Sequence, residues 1–317
     1  YESWWGFPTL PNVTETNPSY LQFVCGADGV LAHWMKQGVK GWRLDVADEL
    51  PDAFLSALRH RIKQENPNAS LVGEVWEDAS NKSSYEIRRP YLLGEQLDSV
   101  MNYPWRTAIL HYVKMGKAED FYNAVMTIAD HYPLPAIKTL MTSVSTHDTV
   151  RAITYLGVEH PVSDEQKGNY ALTAEESEKG KFLFQITAMI QYTLPGFPCL
   201  YYGDEVGVSG FSDPWNRRCY PWGREDFQLL SFFQQLGQTR QEYAESFAQD
   251  FQFVAVDQGM IAYVRGNRIL TAINRGTTDA KLSLEGAKIL LSLGNVLSEQ
   301  HSILVSAESA AIILLHP

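Results

Sequence analysis

The sequence predicts an α/β protein with a parallel sheet, followed by a smaller antiparallel β module. Two observations carry this. Short apolar strand candidates alternate with amphipathic helix candidates up to about Ala244, the pattern of a parallel sheet with helices outside it. After about Phe247 the apolar residues fall into period-two runs separated by Gly, Asn and Asp, the pattern of an antiparallel sandwich. The corresponding domains are residues 1–245 and 246–317.

In chain order, Tyr1 to Asn17 is rich in Pro, Asn, Thr and Trp and reads as loop. Asn17-Pro18 starts a helix as cap and first-turn proline. Leu21, Val24, Leu31 and Trp34 line it, and Gly38 closes it. Val39–Val46 is a strand. Pro51 opens a helix with Phe54, Leu55, Leu58 and Ile62 on one face, ending at Asn66-Pro67. Leu71–Trp76 is a strand, Ser99–Tyr103 another, Ala118–His131 a helix, Thr142–Thr146 a strand, Phe182–Thr193 a helix, Pro198–Gly203 a strand and Leu229–Ala244 a helix. The tail strands are predicted at 251–254, 260–264, 269–273, 288–293 and 310–315.

The formal net charge of −11 argues against nucleic acid and against an anionic membrane surface, both of which select basic patches. A neutral or cationic ligand fits better. No apolar run is long enough to span a bilayer. Three cysteines without metal-type spacing point to a reducing, cytoplasmic setting. Trp and Tyr are plentiful, which suits sugar faces as well as a core.

The chemistry concentrates in Gly41-Trp42-Arg43-Leu44-Asp45-Val46-Ala47-Asp48-Glu49. Arg43 and Asp45 are two apart on a strand and therefore share a face. A pair that only fixes register is one reading; a ligand site is the other. Glu74 ends the next strand, 29 residues after Asp45, which is one βαβ step. Adjacent strands lie ~4.8 Å apart, and retaining glycosidases hold their carboxyl groups about 5–5.5 Å apart, so the spacing suits a nucleophile beside an acid/base. Two carboxylates this close favour one proton between them, on the Glu, with Arg43 keeping Asp45 as the ionised partner. Ser145-Thr146-His147-Asp148-Thr149 ends a third strand. It reads either as a cap for a helix starting near Val150 or as a third acid at a strand's carboxyl end, where barrel enzymes gather catalytic groups.

Taken together these stretches resemble glycoside hydrolase family 13, the α-amylase family, and most closely its neopullulanase, cyclomaltodextrinase and maltogenic-amylase branch. GWRLDVADE is similar to the family's second conserved region, GEVWEDA (73–79) to the third and STHDT to the fourth. TLPNVTETNP, MNYPW, LPGFPCLYYGDEVG and DPWNRRCYPW resemble lesser landmarks, all in the family's order. The resemblance implies the carboxyl-terminal five strand–helix units of a (β/α)8 barrel, then a β-sandwich. It makes Asp45 the nucleophile, Glu74 the general acid/base and Asp148 the third carboxylate, which holds sugar hydroxyls with Arg43 and His147. Asp48 and Glu49 stand on the leaving-group side, where many true α-amylases carry Lys and His. That points away from long starch and from the usual calcium ligand, although a structural calcium stays open. Trp76 packs beside the site or serves the core. No cofactor or metal is called for, and the partner is an α-glucan or maltooligosaccharide.

The family's first conserved region, an Asp followed closely by Asn-His, is absent from this sequence. The expectation is therefore that about three units, on the order of 90 residues, are missing. Residues 1–317 alone would then be nearly inactive and prone to self-association through open strand edges. Alternatives are an oligo-1,6-glucosidase, a sucrose- or trehalose-acting relative, or a non-catalytic binding module of the same family. Loss of a catalytic acid would mark the last, and all three acids are present.

Overall fold

The structure, a computed structural model, describes residues 1–315. In chain order its elements are α1 (Pro18–Cys25), α2 (Val30–Lys36), β1 (Gly41–Leu44), α3 (Asp52–Glu65), β2 (Ser70–Gly73), β3 (Ser83–Ser84), β4 (Ile87–Arg88), β5 (Ser99–Val100), α4 (Tyr103–Met115), α5 (Ala118–His131), α6 (Leu134–Lys138), β6 (Met141–Ser143), α7 (Ala152–Gly157), α8 (Asp164–Lys167), α9 (Ala174–Thr193), β7 (Phe197–Cys199), α10 (Phe227–Glu242) and α11 (Ala244–Phe247). Eight strands follow: β8 (Phe251–Asp257), β9 (Met260–Arg265), β10 (Ile269–Asn274), β11 (Ala280–Ser283), β12 (Lys288–Leu293), β13 (Val296–Glu299), β14 (Ser302–Val305) and β15 (Ser309–Leu314). The chain forms two compact units, one of Tyr1–Met101 with His131–Thr139, the other of Asn102–Asp130 and everything from Leu140 onward.

In the first unit β1, β2 and β5 form a parallel sheet in that order. α3 buries Phe54, Leu55, Leu58 and Ile62, the face read from the sequence. The single helix expected from Asn17 to Gly38 is two helices instead. Asn17 caps the first through Oδ1 to Ser19 N at 2.9 Å, but the chain breaks between Gly26 and Gly29. A Cβ on Gly26 would meet Gln22 O at 2.3 Å and one on Gly29 would meet Phe23 O at 2.7 Å, so the glycines permit a turn that a continuous helix would not need. Trp34 is consequently 51% exposed rather than core. Among the described residues β1 has a sheet neighbour on one side only, and all four of its residues are half-buried. The connection from β2 to β5 carries the hairpin β3–β4 and no helix.

In the second unit β6 and β7 pair in parallel, Met141 with Phe197 and Ser143 with Cys199. α4 and α7 pack on α9, whose start is a reciprocal Thr173–Glu176 capping box. α4 went unseen in the sequence, although Asn102 is its cap and Pro104 sits in its first turn. The strand expected through Tyr103 stops at Val100 for the same reason. The five parallel strands thus form two sheets, and a closed barrel is not among the sheets of the described residues. The tail forms two antiparallel sheets, β12-β15-β10-β9-β8 and β11-β14-β13. Met260, Ala262, Leu270, Ala272, Ala311 and Ile313 of the first share one core with Ile303 and Val305 of the second. Tyr112 of α4 donates to the carbonyls of Gly259 and Ile273 at 2.8 and 2.9 Å, tying this module to the helices of its own unit. No helix of the described residues is long and apolar enough to cross a membrane.

Candidate active site

The β1–β2 register runs Gly41 with Ser70 to Leu44 with Gly73, so Asp45 and Glu74 are the next residues out on neighbouring parallel strands. The backbone keeps them together: Glu74 N donates to Leu44 O at 2.9 Å, and Ala47 N to Glu74 O at 3.1 Å. Gly73 leaves room here for Leu97, whose Cδ1 would lie 2.5 Å from a Cβ and would have to move aside for a larger residue. The Arg43 guanidinium then spans both acids. One nitrogen donates to Asp45 Oδ1 at 2.5 Å, and the other lies 2.9 Å from Glu74 Oε2. The second approach is an ion pair without hydrogen-bond alignment, and that nitrogen is buried. At 2.9 Å the charges still attract, because charge attraction tolerates poor alignment.

The two acids differ sharply in surroundings. Asp45's side chain is 72% exposed and Glu74's 4%. Glu74 Oε2 accepts Val46 N–H at 2.8 Å, and Oε1 accepts the Trp76 indole N–H at 3.0 Å. With Arg43, every one of these partners is a donor, so none offers an acceptor to a carboxylic O–H. Val46 reaches its position with φ 38° and ψ 65°, a left-handed conformation that a β-branched residue adopts only under strain. This turn aims a backbone N–H at Glu74, and no periodicity in the sequence signals it. Trp76 is 46% exposed, so the core reading for it fails.

Asp48 and Glu49 lie on the short turn Ala47–Glu49 that follows β1. Asp48 is committed to protein partners, Tyr91 Oη at 2.7 Å on one oxygen and Lys82 Nζ at 3.0 Å on the other. Burial, then the Asp48 hydrogen bond, pushes the Tyr91 phenol well above its ordinary range. Glu49 accepts the Tyr85 hydroxyl. Both acids therefore hold the 77–93 segment in place.

Asp148 and His147 belong to the second unit. His147 Nε2 is 3.1 Å from Asp148 Oδ2, and Arg217 approaches the other oxygen at 3.6 Å. Neither Asp148 nor Thr149 caps α7, whose N-cap is Arg151. Asn216, which sequence reasoning passed over inside DPWNRRCYPW, holds this turn: its amide nitrogen donates to the carbonyls of Thr146, His147 and Thr149 at 3.1, 2.7 and 2.8 Å.

Beneath the turn, Arg151 and Asp204 form a fully buried pair at 2.9 Å. Arg151 also donates to Tyr202 O at 2.6 Å and Asn216 O at 2.9 Å. Replacing Arg151 by Ala strands a buried carboxylate and should cost about 3–5 kcal/mol, measured by urea unfolding. Burial pushes the Asp204 carboxyl up to about 6, with Arg151 opposing. An acid whose folded pKa exceeds its unfolded value binds extra protons when folded. Its stabilising contribution is full below the unfolded value and is lost as pH rises through about 6. Asp204→Asn should remove that slope from the stability-against-pH curve between about pH 4 and 6; an unchanged slope would assign it to other groups.

Among the described residues no group of three or more His, Cys, Asp or Glu is arranged to hold a metal ion.

The model of the α-amylase catalytic domain matches residues 6–250. The amylopullulanase of Thermoanaerobacter thermohydrosulfuricus is 35% identical over 76% of this chain and 17% of its own length. Neopullulanase 2 of Thermoactinomyces vulgaris is 33% identical over 75% of this chain and 36% of its own. The type III pullulan hydrolase from Thermococcus kodakarensis superposes with a TM-score of 0.81 at 25% identity, covering 98% of this chain and 51% of that one. The chain thus spans only part of these relatives. A catalytic-domain match across most of the chain, on a site with Asp45 and Glu74 side by side, places it in glycoside hydrolase family 13, the α-amylase family.

Proposed function

We propose that the protein is a retaining α-glucan hydrolase that cleaves α-1,4 bonds, with α-1,6 bonds as a second linkage, in maltodextrins, cyclodextrins or pullulan. The observation that carries this is one guanidinium spanning two carboxyl groups on adjacent strand ends. Residues 1–245 are assigned the catalytic part and 246–317 an accessory β module. Asp45, open to solvent, can attack an anomeric carbon and form a glycosyl-enzyme. Glu74 delivers a proton to the leaving oxygen. An incoming glycosidic oxygen supplies the acceptor that its present donors do not, displacing the Trp76 indole from Oε1. Arg43 fixes the Asp45 carboxyl in place through its hydrogen bond to Oδ1. Asp148, with His147 beside it, is assigned contacts to sugar hydroxyls.

Asp48 and Glu49, in place of the Lys and His of many true α-amylases, support short or cyclic glucans over starch. Comparing kcat/KM on maltohexaose, β-cyclodextrin, pullulan and soluble starch tests this. The expected result is the lowest value on starch; a clear starch preference returns the reading to a conventional α-amylase.

A further inference from the structure

The hairpin β3–β4 turns on Tyr85 and Glu86, at φ 51° and 64°. A two-residue hairpin with both central residues left-handed normally uses Asn-Gly, because side chains disfavour that region. Strain of this kind persists where the side chain is needed. Tyr85 is nonetheless 71% exposed, so it is not there for packing. Nor is the hairpin loose. The Tyr85 hydroxyl donates to Glu49, Ser84 Oγ to Asp48 O at 2.9 Å, and Lys82 just before the hairpin pairs with Asp48 at 3.0 Å. All three ties reach the turn Ala47–Glu49 that follows β1. Glu49 lies on that turn, four residues past Asp45, so the tether holds the hairpin on the side of the site where β1 ends.

We propose that Tyr85 is an aromatic platform, fixed by Glu49, on which a glucose unit of an α-glucan packs beyond the scissile bond. The proposal rests on the glucan-hydrolase reading of the Asp45–Glu74 site. A tyrosine ring offers an apolar face to sugar C–H groups at little entropic cost, and its hydroxyl here serves the tether rather than the ligand. Sugars too short to reach the ring gain nothing from it.

Calorimetric titration in an Asp45→Asn background, where the sugar stays intact, tests this with maltohexaose and maltose. Tyr85→Ala should weaken maltohexaose binding about tenfold, the scale of one aromatic contact, and leave maltose binding unchanged. Tyr85→Phe, which keeps the ring and loses the tether, should stay within about threefold on the same scale. Maltohexaose binding equal to the parent in Tyr85→Ala overturns the platform while leaving the hydrolase reading intact. Equal loss for both sugars in both variants overturns it in favour of a structural role. A parent that binds neither sugar overturns both readings.

Discussion

In a protein that carries this chain and turns over maltodextrins, Asp45→Asn should lower that turnover at least about 10⁴-fold, because removing the attacking group removes the covalent route that the remaining site cannot replace. Substrate affinity should change little, since the carboxamide has the same shape and the side chain is exposed. Glu74→Gln should behave differently. With a glucosyl fluoride, whose leaving group needs no proton, the first step should survive and a glycosyl-enzyme should accumulate on Asp45. Mass spectrometry of the intact protein reads that adduct. Failure to trap it, with binding retained, would remove Asp45 from the nucleophile role. The contrast arises from the two environments, one acid open to an incoming sugar and the other closed in by two hydrogen-bond donors and the Arg43 charge.

Arg43→Ala should be the next most damaging change, with kcat/KM down about 10²–10³-fold, the loss typical of one preorganised charged donor. It leaves Asp45 and Glu74 facing each other without the cation that spans them. Arg43→Lys should recover little, because one ammonium cannot present two divergent donors as a planar fork does. Kinetics of the three proteins, with circular dichroism as the check on folding, decide this. A Lys variant at parental activity would show that charge alone matters and that the forked geometry does not.

Much of this site was legible because strand periodicity and βαβ spacing are stiff rules. The strand expected over Val39–Val46 ends at Leu44, before Val46 turns left-handed, yet Asp45 just past it still meets Arg43, and one βαβ step put Glu74 on the next strand end. The α3 core face was readable for the same reason, its apolar residues recurring at helical spacing. What escaped depends on conformations that composition does not encode. Val46 turns left-handed without a glycine, and so do Tyr85 and Glu86. Asn216 clamps three carbonyls about 70 residues away in sequence, a contact made only after folding. The break after α1 was misread because its glycines interrupt an apolar pattern that continues on both sides. Asp48 shows the opposite limit: the family resemblance implies a place on the leaving-group side, while the contacts of its two oxygens to Tyr91 and Lys82 arise only from tertiary packing.

The central claim is that Asp45 and Glu74 stand close enough for a double displacement, in which two inversions restore the starting configuration. Proton NMR of the first product released from maltohexaose, recorded before mutarotation, measures that directly. The α-anomer is the expected product. Initial release of the β-anomer would mean a single displacement by water, with carboxyl groups too far apart for Asp45 to attack, and would contradict the account.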